Sequence, residues 1–162
     1  MKRLILLLTV CSLLVTAAGC SFFPEENKHP VKYYYQRADY LYGQEDGVIA
    51  AEERDGTGHI KDVAYLLRLY LMGPHDEELL SPFPPGLLIT DIRQGNGNVI
   101  LTLTDALASV SEAKQTLACA CLALTCMDIT GQESVTLIWA DKMLTLDSST
   151  LTLFDTGAAQ AE

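Results

Sequence analysis

The chain has 162 residues, 49% of them hydrophobic, with a formal net charge of −10. That is enough apolar material for one buried core and one ordinary domain. So acidic a surface repels phosphate backbones, which excludes nucleic acid as a partner class.

Lys2 and Arg3 precede a short apolar run, Leu4 to Val15, and the small residues Thr16-Ala17-Ala18-Gly19 lead to Cys20. This order is that of a secretory signal, and the run is shorter than the roughly 20 apolar residues a spanning helix needs. With cysteine at the cleavage point it resembles a bacterial lipoprotein signal, although Ala17 stands where leucine is usual. The resemblance implies residues 1–19 as signal peptide and Cys20 as the lipidated N-terminus, so that a diacylglyceryl anchor holds the protein on the outer face of the cell membrane. Ordinary cleavage after Ala18 is the alternative, and either route exports the chain. Loss of Lys2 and Arg3 takes the charge to roughly −12, so attachment rests on acyl chains and not on basic residues.

Residues 20–30 form a tether, in which Phe22 and Phe23 suit the bilayer interface. The segment from Val31 to Tyr42 is extended and aromatic, Gly43 to Gly47 has turn chemistry, and Val48 to Arg54 returns, so residues 31–58 are expected to form a β-hairpin extension. Tyr33 and Tyr35 share one face of that strand, while Tyr34, Tyr40 and Tyr42 share the other. Tyr33, Tyr34, Tyr35 and Tyr40 are the candidate binding residues, because exposed aromatics stack on glycans or meet a protein edge; the competing expectation is that one set packs the hairpin onto the domain.

Asp62 is placed to cap a helix whose apolar face is Val63, Leu66, Leu67, Tyr70 and Leu71, stopped by Gly73-Pro74. After the proline-rich loop at 81–86, Leu87 to Arg93 and Asn98 to Thr104 flank a hairpin turn at Gln94 to Gly97. Ser109 with Glu112 has capping-box spacing, opening a helix to about Ile129 that is apolar nearly all round, hence central. Val135 to Ala140, Met143 to Leu146 and Leu151 to Phe154 are expected strands, and residues 157–162 a loose tail.

Leu66-Leu-Arg-Leu-Tyr-Leu-Met-Gly-Pro74, Phe83-Pro-Pro-Gly86, Val99-Ile-Leu-Thr-Leu-Thr-Asp105 and the helix-Gly-strand unit up to Trp139 together resemble the GerMN domain of sporulation and spore-germination lipoproteins. The resemblance implies an α+β fold over residues 59–156, with two helices packed on a mostly antiparallel sheet behind the hairpin, similar to ring-building modules. It also implies an assembly role through contacts with envelope or sporulation-complex proteins. A peptidoglycan-binding module using the tyrosines is the alternative function.

Catalytic residues are not expected. His29, His59 and His75 have no metal-ligand spacing, and Glu52 and Glu53, adjacent on a strand, point to opposite faces. Asp76-Glu-Glu78 has the composition of a solvated acidic loop. Cys119, Cys121 and Cys126 lie on one buried helix, with Cys119 and Cys126 about 10 Å apart along its axis, too far for a disulfide. They are expected to serve as small packing residues, with no metal and no cofactor.

Overall fold

The computed structural model of the chain describes residues 29–40 and 47–151. The signal peptide, Cys20, Tyr42 and the tail at 157–162 lie outside the described residues, as does most of the tether.

Two sheets and two principal helices form the α+β architecture. β1 (Pro30–Arg37) and β2 (Ile49–Asp55) pair antiparallel, and β1 also takes a two-residue strand, β3 (Leu79–Leu80). The second sheet has the order β4 (Ile89–Gly95), β5 (Asn98–Leu103), β6 (Ser134–Trp139), β7 (Lys142–Asp147). Within it β5 and β6 run parallel and the other pairs antiparallel. A parallel pair needs a crossover, and α2 (Glu112–Thr130) supplies it.

Local chemistry explains the element boundaries. In α1 (Val63–Leu71) the Asp62 carboxylate accepts the Tyr65 N–H at 3.0 Å, and Gly73 leaves the helix at φ 102°. Asn96 and Gly97 both have positive φ, which closes the β4–β5 hairpin in two residues with the twist its strands require. The capping-box expectation at Ser109 is corrected. Asp105–Ser109 is a turn of 3₁₀ helix in which the Ser109 hydroxyl donates to the Ala106 carbonyl at 2.6 Å, and Ser111 is the N-cap of α2. Leu151 is likewise no strand residue. It ends the short helix α3 (Ser148–Leu151), whose start is held by the Asp147 carboxylate, and residues beyond it lie outside the described part.

Six of the nine buried residues of α2 are alanine or cysteine, which lets neighbouring backbone approach closely on more than one side. β1 takes one side, with β6 and β7 on another. β3 covers β1 only at Gln36 and Arg37, and α2 occupies the rest of that edge. Thr125 Oγ1 accepts the Tyr34 N–H at 2.9 Å, and Asp128 Oδ2, about one turn on, accepts the Lys32 N–H at 3.0 Å. Helix side chains thus satisfy strand donors that burial beside α2 would otherwise orphan. The hairpin stands apart from the four-stranded sheet, yet Val31, Tyr33 and Tyr35 belong to one continuous core with Leu67, Leu101, Leu122 and Leu137.

Candidate functional site

Alternation along β1 puts Tyr33 and Tyr35 on the inward face, and both are fully buried. Their rings meet Tyr70 of α1 at centroid distances of 5.5 and 4.9 Å, and the Phe83 ring packs edge-on against Tyr70 at 5.0 Å. Neither Tyr33 nor Tyr35 is available to stack on a ligand; the two hold the hairpin to the domain. Tyr34, on the other face, is half-buried. Tyr40 is half-buried too, but β1 ends at Arg37, so it does not continue the Tyr34 face.

The tyrosines are threaded by hydroxyl bonds. Tyr35 donates to the Tyr70 carbonyl at 2.8 Å, and Tyr70 donates to the Tyr34 carbonyl. Burial raises all three phenols of the inward cluster, Tyr70 well above its ordinary value, so they remain neutral.

A charged pair closes the cluster toward solvent. Cross-strand register sets Glu52 opposite Tyr33, and Arg54 follows two residues on, on the same face of β2. The Arg54 guanidinium lies 4.9 Å from the Tyr33 ring centroid, with Nε 2.9 Å from Glu52 Oε1 and Nη2 3.0 Å from Oε2. Nη2 also donates to the Gly73 carbonyl at 2.8 Å and to Tyr35 Oη at 3.3 Å. Burial alone would raise the Glu52 carboxyl, but the Arg54 bonds and the His75 backbone N–H at 3.0 Å hold it below its usual value. Arg54 is raised: burial works against its charge, and Glu52 overcomes it. The expectation that Glu52 and Glu53 diverge holds, for Glu53 faces outward and lies 3.9 Å from Lys32 Nζ. What the adjacency of two glutamates concealed was the Glu52–Arg54 relation; its signal was the spacing of two along a strand opposite tyrosine.

Surface hollows open among the described residues. One of about 480 Å³ opens over Tyr33, Glu52, Arg54, Leu69, Met72 and His75. Another, about 390 Å³, lies over Gln115, Cys119, Trp139 and Lys142, where Lys142 Nζ donates to Gln115 Oε1 at 3.1 Å. A further one, about 340 Å³, is an apolar groove between α1 and β4. Trp139 Nε1 has no acceptor among the described residues, but it is itself closed off from solvent.

Among the described residues no three His, Cys, Asp or Glu side chains come together in a metal-binding group. Cys119, Cys121 and Cys126 are buried free thiols, each pushed up to about 12 by burial, which keeps them in the protonated form near neutral pH. No helix among the described residues is long and apolar enough to cross a membrane.

The arrangement of a three-stranded sheet, a helix-linked β5–α2–β6 unit and an aromatic-capped α1 defines an α+β fold of the GerMN type. Among solved structures, the tandem GerMN domains of the sporulation protein GerM from Bacillus subtilis align with a TM-score of 0.52 at 19% identity, over 70% of this chain and 39% of that one. A candidate lipoprotein from Clostridium perfringens aligns with a TM-score of 0.48 at 12% identity, covering 80% of this chain and 95% of that one. No family model and no curated protein matches the sequence.

Proposed function

We propose that this chain is a lipid-anchored, non-catalytic scaffold on the outer face of the cell membrane, contributing protein–protein contacts to a sporulation- or germination-type envelope complex. The observation that carries the reading is the GerMN-type fold shared with a sporulation protein. The signal ending in Cys20 supports the anchor. A frame whose Tyr35 and Tyr70 hydroxyls and Glu52–Arg54 pair are engaged within the fold, with its thiols packed in the core, suits a rigid docking body better than an enzyme.

In this reading residues 1–19 are removed, residues 20–30 form the tether, and residues 31–156 carry the docking surfaces. The peptidoglycan reading loses Tyr33 and Tyr35 to the core and retains only the half-buried Tyr34 and Tyr40.

Acylation is tested by feeding cells a labelled fatty acid: the intact chain takes up label and sediments with membranes, and Cys20→Ala does neither. Crosslinking on intact cells then recovers envelope proteins with the anchored chain. An unlabelled protein free in the medium overturns the anchor, and recovery of no envelope protein in growing or sporulating cells overturns the scaffold.

A further inference from the structure

Among the described residues the outer strands are β2, β3, β4 and β7, and the first three carry protections against pairing with a foreign strand. β2 ends in Glu52, Glu53, Arg54 and Asp55, and β3 has only two residues. β4 shifts register between Ile89 and Asp91 and bears the charges of Asp91 and Arg93. Charge, shortness and a bulge each oppose edge-to-edge addition. β7 has none of these. It is six residues long, keeps one register along β6 and contains no proline, and its central Met143-Leu144-Thr145-Leu146 is uncharged.

The β6–β7 hairpin fixes which backbone groups face outward. Trp139 and Lys142 flank a two-residue turn, so they form a hydrogen-bonded pair, and bonded and unbonded pairs alternate along the strands from there. Leu144 and Leu146 therefore bond inward to β6. The N–H and C=O groups of Met143, Thr145 and Asp147 point to the open edge. On the α2 side of the strand Leu146 is buried and Leu144 half-buried, while Met143, on the other face, is 72% exposed.

This edge is complementary to itself. Opposed residues of an antiparallel pair share a face, so two copies about a twofold axis pair over most of β7 when they centre on Leu144 or on Thr145. Centring on Leu144 sets Asp141 against Asp147 of the second copy, and like charges directly opposed are destabilising. Centring on Thr145 opposes no like charges. It sets Leu144 against Leu146 of the second copy on the α2 side, Met143 against Asp147 on the other face, and Thr145 against its own counterpart. The bonded pairs are then those of Met143, Thr145 and Asp147, whose groups already point outward.

We propose that β7 is a self-recognition edge, on which two copies pair antiparallel about Thr145 and join their four-stranded sheets into one of eight strands. A twofold contact of this kind closes after two copies. Two short strand edges make a small interface, so the dimer is weak. Each copy carries a net charge of −10, so the dimer strengthens as salt is added. The pairing rests neither on the lipid anchor nor on an envelope partner.

The chain from residue 20 onward, with Cys20→Ser, keeps every described residue and provides the test, read by sedimentation velocity and amide exchange. In dilute protein the Thr145 N–H is expected to exchange as an open-edge amide and to slow several-fold as the dimer forms, while Leu144 and Leu146 stay protected throughout. Met143 is exposed, so a charge is tolerated there in the fold. Met143→Glu, facing Asp147 of the second copy, is expected to abolish the dimer, and Met143→Lys to keep or tighten it. A monomer with fast Thr145 exchange at every concentration overturns the proposal. So does a Thr145 amide protected at every dilution, which means the edge is covered within the chain. Equal effects of Met143→Glu and Met143→Lys overturn it too, because only pairing about Thr145 tells the two charges apart.

Discussion

Removal of the Arg54 guanidinium is the sharpest perturbation the structure offers. The side chains of Arg54 and Glu52 are 13% and 12% exposed, so solvent screens the pair little. Arg54→Ala deletes both contacts to Glu52, the bonds to Gly73 and Tyr35, and the cation over the Tyr33 ring. It leaves the Glu52 carboxylate with the His75 amide as its remaining donor among the bonds described. Stranding a largely buried charge costs about 3 kcal/mol, most of it the desolvation of the survivor. For a domain of this size that corresponds to a fall of about 10 °C in Tm. Replacing both partners, Glu52→Gln with Arg54→Met, removes the charges while keeping volume and is expected to cost about 1 kcal/mol or less. Urea unfolding of Glu52→Gln, Arg54→Met and the double variant closes the cycle, with Arg54→Ala measured beside it. If Arg54→Ala costs under about 1 kcal/mol, or the single effects simply add, the pair is solvated and the argument from burial is wrong.

Acid stability follows from the same pair. Because the folded Glu52 value lies below the unfolded one, its stabilisation is complete above the unfolded value of about 4.3 and is lost as pH falls through the folded value; Glu52→Gln should therefore flatten the acid limb of the urea midpoint. Cys119, Cys121 and Cys126, at about 12, should stay silent to an aromatic disulfide reagent near pH 8 until denaturant is added, and rapid labelling of the native protein would refute their burial. A Cβ on Gly56 would sit 2.6 Å from Val31 Cγ2 and 3.3 Å from the His29 carbonyl, so Gly56→Ala is expected to cost about 1–3 kcal/mol in thermal unfolding, and a neutral result would show the β1–β2 entry to be loosely packed.

Much of the framework was legible because its cause is local. An aspartate caps α1, glycine ends it at positive φ, and Asn96-Gly97 adopts the turn that only such residues reach cheaply. The nearly uniform apolar surface of α2 announced a helix covered on more than one side. The capping box at Ser109 misled because the motif scores a spacing, while the hydroxyl found a nearer acceptor in the 3₁₀ turn. The run from Leu151 resembled a strand by composition alone, yet the Asp147 carboxylate turns the chain into α3 immediately after β7.

The tyrosine run shows where sequence stops. Alternation alone sorted Tyr33 and Tyr35 from Tyr34, because residues two apart on a strand share a face whatever surrounds them. Which face is buried depended on α1 arriving with Tyr70, and the remaining β1 edge depended on Thr125 and Asp128 from a helix some ninety residues away. Capping, turns and periodicity are written within a few residues and survive without partners. Burial, the Glu52–Arg54 closure and the α1–β4 groove are relations between distant segments, and only the folded chain brings them together.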